Sequence, residues 1–428
     1  MTTFATTTSR YLTAEQLIKL PAQFETPIWI YDSEVIIQAI MQLTAFDVIR
    51  FAQNACSNIH ILRLMREQGV KVDAVSLGEI ERALVAGFRP GSEQAEIVFT
   101  ADVIEKQTLE RVIELDIPVN VGSIDMLVQL GKAKRHHPIW LRINPGFGHG
   151  HNQKTNTGGE NSKHGIWFSD LPLAIEKINQ YQLTLVGIHM HIGSGVDYCH
   201  LAKVCDAMVE QVILSGCDIQ AISAGGGLSI PYNLAEERID INHYFALWNS
   251  ARERISAHLG HHITLEIEPG RYLVAESGVL LAEVRAIKRM GKNHYVLVDS
   301  GFNDLMRPAM YGCYHHISVL AADNRDLTNE NLRETLVAGP LCESGDVFTQ
   351  ANNGAVVPRL LPEIHVGDYL VFHDTGAYGA SMSSNYNSRP LIAEVMYLDG
   401  EPKLIRRRQT LAELLALETC LITSNKGA

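Results

Sequence analysis

A short apolar run, then polar punctuation, then a helical stretch: this unit recurs along the chain from Val48 to Glu268. The apolar runs are residues 48–52, 70–75, 97–99, 117–120, 139–143, 185–191, 219–223 and 264–268, which makes eight candidate strands. Helix-like segments follow most of them, at residues 58–68, 77–86, 103–115, 123–132 and 244–258. The last, with the residue after it, places Phe245, Leu247, Trp248, Ile255 and Leu259 at roughly helical spacing. Such alternation implies parallel strands joined by right-handed crossovers. Eight units predict a closed (β/α)8 barrel, with an open doubly wound sheet as the rival.

After residue 268 the texture changes. Residues 272–287, 295–298, 317–320, 335–338, 369–373, 391–397 and 403–406 read as strands with few helices between them. Leu398-Asp399-Gly400 predicts a hairpin turn, and residues 409–418 a short closing helix. The expected class is therefore α/β plus β: an N-terminal segment 1–32 packing with the β domain, a barrel 33–275, and a mostly β C-terminal domain 276–428. Residues 146–165 are rich in glycine, histidine and asparagine and lack an apolar period. A loop of that length is a lid or a disordered insert.

Composition removes several functions. The 36 Lys and Arg against 48 Asp and Glu give a net charge of −12, which suits neither nucleic acid nor an anionic membrane surface. No apolar run reaches membrane-spanning length, and the Thr-rich N-terminus lacks the pattern of a secretory signal. Seven scattered cysteines, odd in number and without a CxxC, point to reduced thiols in a cytoplasm.

The unusual residues gather at the carboxyl ends of the candidate strands, where a barrel keeps its active site. Gln53-Asn54-Ala55 follows the first, His189-Met190-His191-Ile192-Gly193-Ser194 ends the sixth, Gly225-Gly226-Gly227 the seventh, and Glu268-Pro269-Gly270-Arg271 the eighth. A triple glycine alone is a tight turn. After strand seven, and beside Gly270-Arg271 after strand eight, it also fits a phosphate cradle of backbone N–H groups. His189 and His191 share a strand face, but no cysteine or carboxylate lies at ligand spacing, so no metal is expected. They read as a histidine over a flat cofactor or as satisfied core residues. Glu268 ends an apolar strand, where a carboxylate is costly unless paired. It is either half of a structural ion pair or the group that holds a proton on a heterocycle nitrogen. In the β region, Asp304–Tyr311, Gly339–Asp346 and Asp374–Gly379 stand out, each by itself a loop, and Cys342 beside Glu343 is on base rates an inert thiol.

Taken together these peptides resemble the bacterial diaminopimelate decarboxylases, pyridoxal-phosphate enzymes of the alanine-racemase/ornithine-decarboxylase fold. The likeness runs end to end, through FAQxACSN, DAVSLGEIERAL, RINPGFGHGH, HMHIGSGVD, SAGGGLS, EPGR, FNDLMRPAMYG, GPLCESGD and DTGAYGASMSSNYNSRP. The resemblance implies decarboxylation of meso-2,6-diaminopimelate to L-lysine and CO2, with pyridoxal 5'-phosphate as cofactor. It implies that His191 stacks on the pyridine ring and that Ser194, Gly225, Gly226, Gly227 and the segment Glu268, Pro269, Gly270, Arg271 bind the cofactor, with Glu268 on the ring nitrogen. Arg271, Arg307, Tyr311, Glu343 and Tyr378 are implied to hold substrate, Tyr378 also touching the cofactor. Cys342 is the implied proton donor. Cys342 and Glu343 arrive, in the family, from the second subunit of a homodimer.

One position departs. The family's Schiff-base lysine falls where this chain has Asn54, and the neighbouring Ser57 and Asn58 fit the motif, so the substitution is in register. An amide nitrogen is not a nucleophilic amine. Three origins fit: an engineered knock-out, a cofactor-bearing lysine written as asparagine, or a natural homologue that binds cofactor without turnover. The rest of the pattern favours a decarboxylase: a carboxylate at the ring nitrogen deepens the electron sink that a racemase's arginine would weaken. Two arginines and a glutamate suit the distal carboxylate and ammonium of diaminopimelate.

Overall fold

Eight parallel strands close on themselves. In the computed structural model, which describes residues 12–148, 157–191, 193, 197–233, 235–328, 331–351 and 353–423, they are β1 (Val48–Ala52), β2 (Lys71–Ala74), β3 (Ile97–Ala101), β4 (Val119–Val121), β5 (Pro138–Asn144), β6 (Thr184–His189), β7 (Ala221–Ser223) and β8 (Thr264–Ile267). Each pairs in parallel with the next. Glu266 opposite Val48 and Ile267 opposite Ile49 join β8 to β1, which excludes an open sheet. All eight predicted strands are present, and the helices between them start where the sequence supplies caps. Asn58, Ser76 and Ser123 each accept a hydrogen bond from a backbone N–H of the first turn. The barrel interior is not wholly apolar. Arg50 donates from Nε and Nη2 to both oxygens of Glu266 at 3.0–3.2 Å, and from Nη1 to the Ala95 carbonyl, so this buried ion pair has its remaining donors satisfied.

The chain divides into two units. One holds the barrel, Ile37–Pro231 and Glu237–Leu273; the other holds the described residues up to Ile36, Tyr232–Glu236 and the chain from Val274 onward. In the second unit the strand Ile28–Asp32 runs antiparallel to Gly278–Met290 and parallel to Ala393–Leu398. Its core gathers Leu12, Leu17, Leu20, Ile28, Ile30, Val279, Leu281, Val371 and Val395. The predicted hairpin is there: Asp399 (φ 51°) and Gly400 (φ 79°) are both left-handed, as a type I′ turn between Ala393–Leu398 and Glu401–Arg406 requires. One expected strand needs correction. Residues 272–277 are helical, Arg271–Val274 running into the 3-10 turn Ala275–Ser277, and the strand begins at Gly278. Tyr272, Leu273, Val274 and Ala275 are all buried, so their apolar run reads alike as a strand or as a buried helical turn. The C-terminal helix spans Leu411–Thr423.

Gly376 fixes how this second unit packs. A Cβ on it would overlap the Val274 carbonyl and crowd the Gly278 backbone nitrogen at 3.0 Å. Both neighbours are backbone, so neither can yield by a rotamer change. Gly376→Ala is expected to cost about 3 kcal/mol or more, read as a lower urea midpoint with unchanged slope.

Two of the buried histidines show how the acid limb of stability arises. Burial pushes His137 down to about 4 and His373 down to about 3. Each is uncharged when folded and free to protonate at its usual value of 6.5 when unfolded. Below pH 6.5 the unfolded chain therefore binds more protons, and stability falls with pH until the folded values are reached. At about pH 5 each contributes a loss of about 2 kcal/mol. Replacing His137 with Gln should shrink the difference in unfolding free energy between about pH 7.5 and about pH 5 by that amount. An unchanged difference would contradict the assignment.

Candidate active site

Register brings the polar residues of the barrel mouth to one face. Arg142 on β5 lies opposite His189 at the end of β6, and His189 lies opposite Ser223 at the end of β7. Ser223 lies opposite Glu266 on β8, and Glu268 follows two residues later on the same side of the chain. The result is a buried cluster. Glu268 Oε2 sits 2.7 Å from His189 Nε2, and the Ser223 hydroxyl donates to Glu268 Oε1 at 3.2 Å. Burial pushes the Glu268 carboxyl up, but the adjacent His189, with Arg50, more than offsets this and holds it below the usual carboxylate range. Across the mouth the opposite holds. Burial, then the negative charge of Glu268, raises Asp73 well above its ordinary value, and Asp73 accepts from the Thr100 hydroxyl at 2.5 Å. Asn120 Nδ2 donates in turn to Thr100 at 3.3 Å. Two carboxyl groups at one mouth are thus shifted in opposite directions.

Beside Glu268 the glycines form a shallow cradle. Gly225 (φ 61°) and Gly227 (φ 101°) are left-handed. A Cβ on Gly225 would come within 2.5 Å of the Met190 carbonyl, and one on Gly226 within 2.6 Å of the Glu268 carbonyl. The His191 ring borders this turn, its Cε1 standing 3.6 and 3.7 Å from those hypothetical methyls of Gly227 and Gly226. Burial, then Arg142 and His189, pushes His191 down to about 3, which leaves its ring uncharged. Gly270, after Pro269, packs against the Ala52 carbonyl and the Ala55 side chain, and Arg271 opens the short helix beyond it. Asn54 lies in the 3-10 turn Gln53–Ala55 that caps β1. Its buried Oδ1 has no hydrogen-bond partner, and neither have both amide atoms of Gln53, Asn120 Oδ1, His189 Nδ1 and His191 Nδ1. Buried polar atoms are seldom left unpaired. Several orphans around a glycine cradle, a neutral imidazole and an ionised carboxylate fit a flat, anionic heterocycle such as pyridoxal phosphate. Ser194, also expected to bind cofactor, lies outside the described residues, as do residues 149–156 of the expected lid. The described ends of that loop are pinned. Asn144 bonds Gly146, Gly159 and His164 backbone groups, while Asp102 accepts from His164 Nδ1 at 2.6 Å and from Gly165 N at 2.8 Å.

Apart from Arg271, which lies in the barrel unit, the expected substrate residues lie in the second unit. Arg307 is buried and its donors are aimed by neighbours: Nη1 to the Tyr232 hydroxyl at 2.8 Å and to His315 Nε2 at 3.3 Å, Nη2 to Cys313 Sγ at 3.3 Å. His315 Nδ1 donates to the His373 carbonyl at 2.9 Å, which leaves Nε2 to accept from the guanidinium. Tyr311 ends the same short helix, Arg307–Tyr311. Cys342 and Glu343 are exposed on a braced loop: Asp346 accepts from Phe302 N and Leu341 N at 2.7 and 2.8 Å, and Asn387 Oδ1 accepts from Cys342 N at 2.9 Å. Tyr378 holds a left-handed φ of 56°, a conformation non-glycine residues avoid and one that concentrates at functional loops.

Comparison with known proteins decides the family. The family described as the pyridoxal-dependent decarboxylase, pyridoxal binding domain, matches residues 34–275. The Escherichia coli (strain K12) diaminopimelate decarboxylase is 68% identical over 407 residues, covering 95% of this chain and 97% of that one. The chain belongs to the diaminopimelate decarboxylase family. A crystal structure of diaminopimelate decarboxylase superposes with a TM-score of 0.94 at 67% identity, covering 98% of this chain and 99% of the other. The diaminopimelate decarboxylase from Helicobacter pylori complexed with L-lysine gives 0.82 at 31% identity, covering 94% and 98%. In this family member, two parts of the cluster have no role that the sequence alone assigns: the Ser223 hydroxyl and the contact of His189 with Glu268. Both contacts join residues far apart in the chain, 45 and 79 positions, so no local motif announces them. Among the described residues no helix is long and apolar enough to cross a membrane, and no three His, Cys, Asp or Glu converge as metal ligands.

Proposed function

We propose that this family member binds pyridoxal 5'-phosphate at the barrel mouth and is built to decarboxylate meso-2,6-diaminopimelate to L-lysine and CO2 in the cytoplasm. The observation that carries the reading is Glu268: a buried carboxylate kept ionised beside a left-handed glycine turn and an uncharged His191. When bound, the cofactor supplies an electron sink that makes the bond to the substrate's carboxylate labile. Glu268 holds the proton at the ring nitrogen. Gly225, Gly226, Gly227, Gly270 and Arg271, with Ser194, take the phosphate, and His191 covers one ring face and keeps water off it. Arg307, pre-aimed by Tyr232 and His315, and Arg271 receive the distal carboxylate. Glu343 takes the distal ammonium, and Tyr311 and Tyr378 line the substrate. Cys342 delivers a proton to the α-carbon as general acid. Cys342 and Glu343 are exposed on an anchored loop, which suits presentation to a second copy, so the working unit is a homodimer with shared sites.

Asn54 leaves the binding groups intact and removes the covalent attachment, so the chain as written is impaired in turnover. The same residue favours a second reading, a cofactor-binding homologue without catalysis. Titrating pyridoxal phosphate into the purified chain should give saturable binding with nothing fixed to residue 54 by borohydride. A slow spectral change should follow on adding meso-diaminopimelate, with a response at least roughly tenfold weaker for ornithine, which lacks the distal carboxylate. Absence of saturable cofactor binding sinks the reading.

A further inference from the structure

We infer that His189 is a positioning residue: its Nε2–H, 2.7 Å from Glu268, fixes that carboxylate in the orientation and charge state that keep the cofactor's ring nitrogen protonated. The inference rests on the cofactor reading above and adds a residue to it.

His189 is 1% exposed, and its Nε2 bonds Glu268 Oε2. Its other nitrogen, Nδ1, is buried without a partner. A buried N–H with nothing to receive it is costlier than a bare ring nitrogen, so the network assigns the proton to Nε2, pointing at Glu268. The Ser223 hydroxyl occupies the second oxygen, Oε1, at 3.2 Å, and itself accepts from Gly225 N at 3.1 Å. Glu268 is thereby gripped at both oxygens by donors from two neighbouring strands, one of them tied to the glycine cradle. The strand register makes this grip rigid, because His189 and Ser223 are direct partners across β6 and β7.

The consequence follows from where one shared proton rests. A carboxylate and a pyridine nitrogen in a buried pair have either an ion pair, N–H with carboxylate, or a neutral pair, bare nitrogen with carboxylic acid. Burial by itself favours the neutral pair. Each donor on the carboxylate stabilises its charged form and moves the proton towards the ring. The charged or titratable groups around Glu268 contribute unequally: Arg142 and Arg50 favour the carboxylate, Asp73 is itself pushed towards its neutral acid by burial and by Glu268, and burial leaves His191 uncharged. Of these titratable groups His189 is the one in hydrogen-bond contact with Glu268, and its removal tips the balance.

The test uses the purified chain with pyridoxal phosphate labelled with nitrogen-15 in the ring. In the unaltered protein the ring nitrogen should resonate at the protonated position. In His189→Phe, which keeps the ring volume and deletes the donor, it should move to the unprotonated position, with cofactor affinity falling roughly tenfold. His189→Gln, whose amide can place a donor near the same point, should restore the protonated signal. A protonated nitrogen in all three proteins overturns the inference. A cofactor-free readout separates this from the site reading. With carbon-13-labelled glutamate, the Glu268 carboxyl should stay ionised at about pH 5 in the unaltered chain and be protonated there in His189→Phe. An ionised Glu268 in both overturns the inference even if no cofactor binds, whereas failure to bind cofactor alone overturns the reading of the site. Should His189→Phe not fold, the imidazole nitrogen-15 spectrum of the unaltered chain decides. A protonated Nε2 and bare Nδ1, the Nε2–H signal moving when Glu268 is changed to Gln, support the role, and the reverse tautomer ends it.

Discussion

Asn54→Lys is expected to raise CO2 release from meso-diaminopimelate by at least roughly three orders of magnitude, in line with regaining a covalent catalyst. The expectation is structural as well as chemical. Residue 54 sits in the 3-10 turn that caps β1, at the barrel mouth, with its amide oxygen buried and unpartnered. That oxygen therefore replaces no native contact; it is a polar end with nowhere to bond. A lysine at 54 would carry the one nucleophilic amine that the site lacks. Among the described residues no other lysine follows a barrel strand at the mouth: Lys71 begins β2, and Lys163 belongs to the loop held by Asp102 and Asn144. The proposed phosphate cradle, Glu268 and His191 do not involve residue 54, so cofactor binding should persist in both proteins. The difference should lie in kcat. Borohydride should fix cofactor to residue 54 only in the lysine protein, checked by peptide mass. Equal CO2 release from a mass-verified Asn54 protein would show that position 54 is not the attachment point.

How far the fold and site are legible in the sequence depends on how local each signal is. The eight barrel strands are readable because each is a short apolar run with its own cap or turn after it, as with Ser76 and Ser123. The hairpin at Asp399-Gly400 is readable for the same reason, since two left-handed residues need a particular dipeptide. Strand Ile28–Asp32 escapes notice because it is buried along its whole length and shows no alternation. Arg359–Leu361 escapes it because three residues carry no period at all. Residues 272–277 mislead because apolarity there reports burial and not backbone geometry. At the site, Glu268 and His191 are marked by their place at strand ends. The grip of His189 and Ser223 on Glu268, and the opposed shifts of Asp73 and Glu268, exist only once the register of the strands is set.

Mixing two inactive chains should recover activity. In an Asn54→Lys background, Cys342→Ala removes the proposed general acid, and His191→Ala removes the group proposed to cover the ring face. Each alone is expected to lose roughly two orders of magnitude or more. The two residues belong to different units of the chain: His191 follows β6 of the barrel, whereas Cys342 stands exposed on the loop braced by Asp346 and Asn387. If each site takes its barrel from one protomer and its loop from the partner, a hybrid dimer holds one site with both lesions and one with neither. Random reassortment makes about half the dimers hybrid, each with one of its two sites intact, so recovery should approach about a quarter of the parent rate. Sites built within a single protomer predict no recovery, because every site in the hybrid would still carry one lesion. Native mass spectrometry fixes the hybrid fraction, and CO2 release per hybrid distinguishes the two arrangements. Hybrids that form and stay inactive would refute the shared site while leaving the cofactor residues of the barrel untouched.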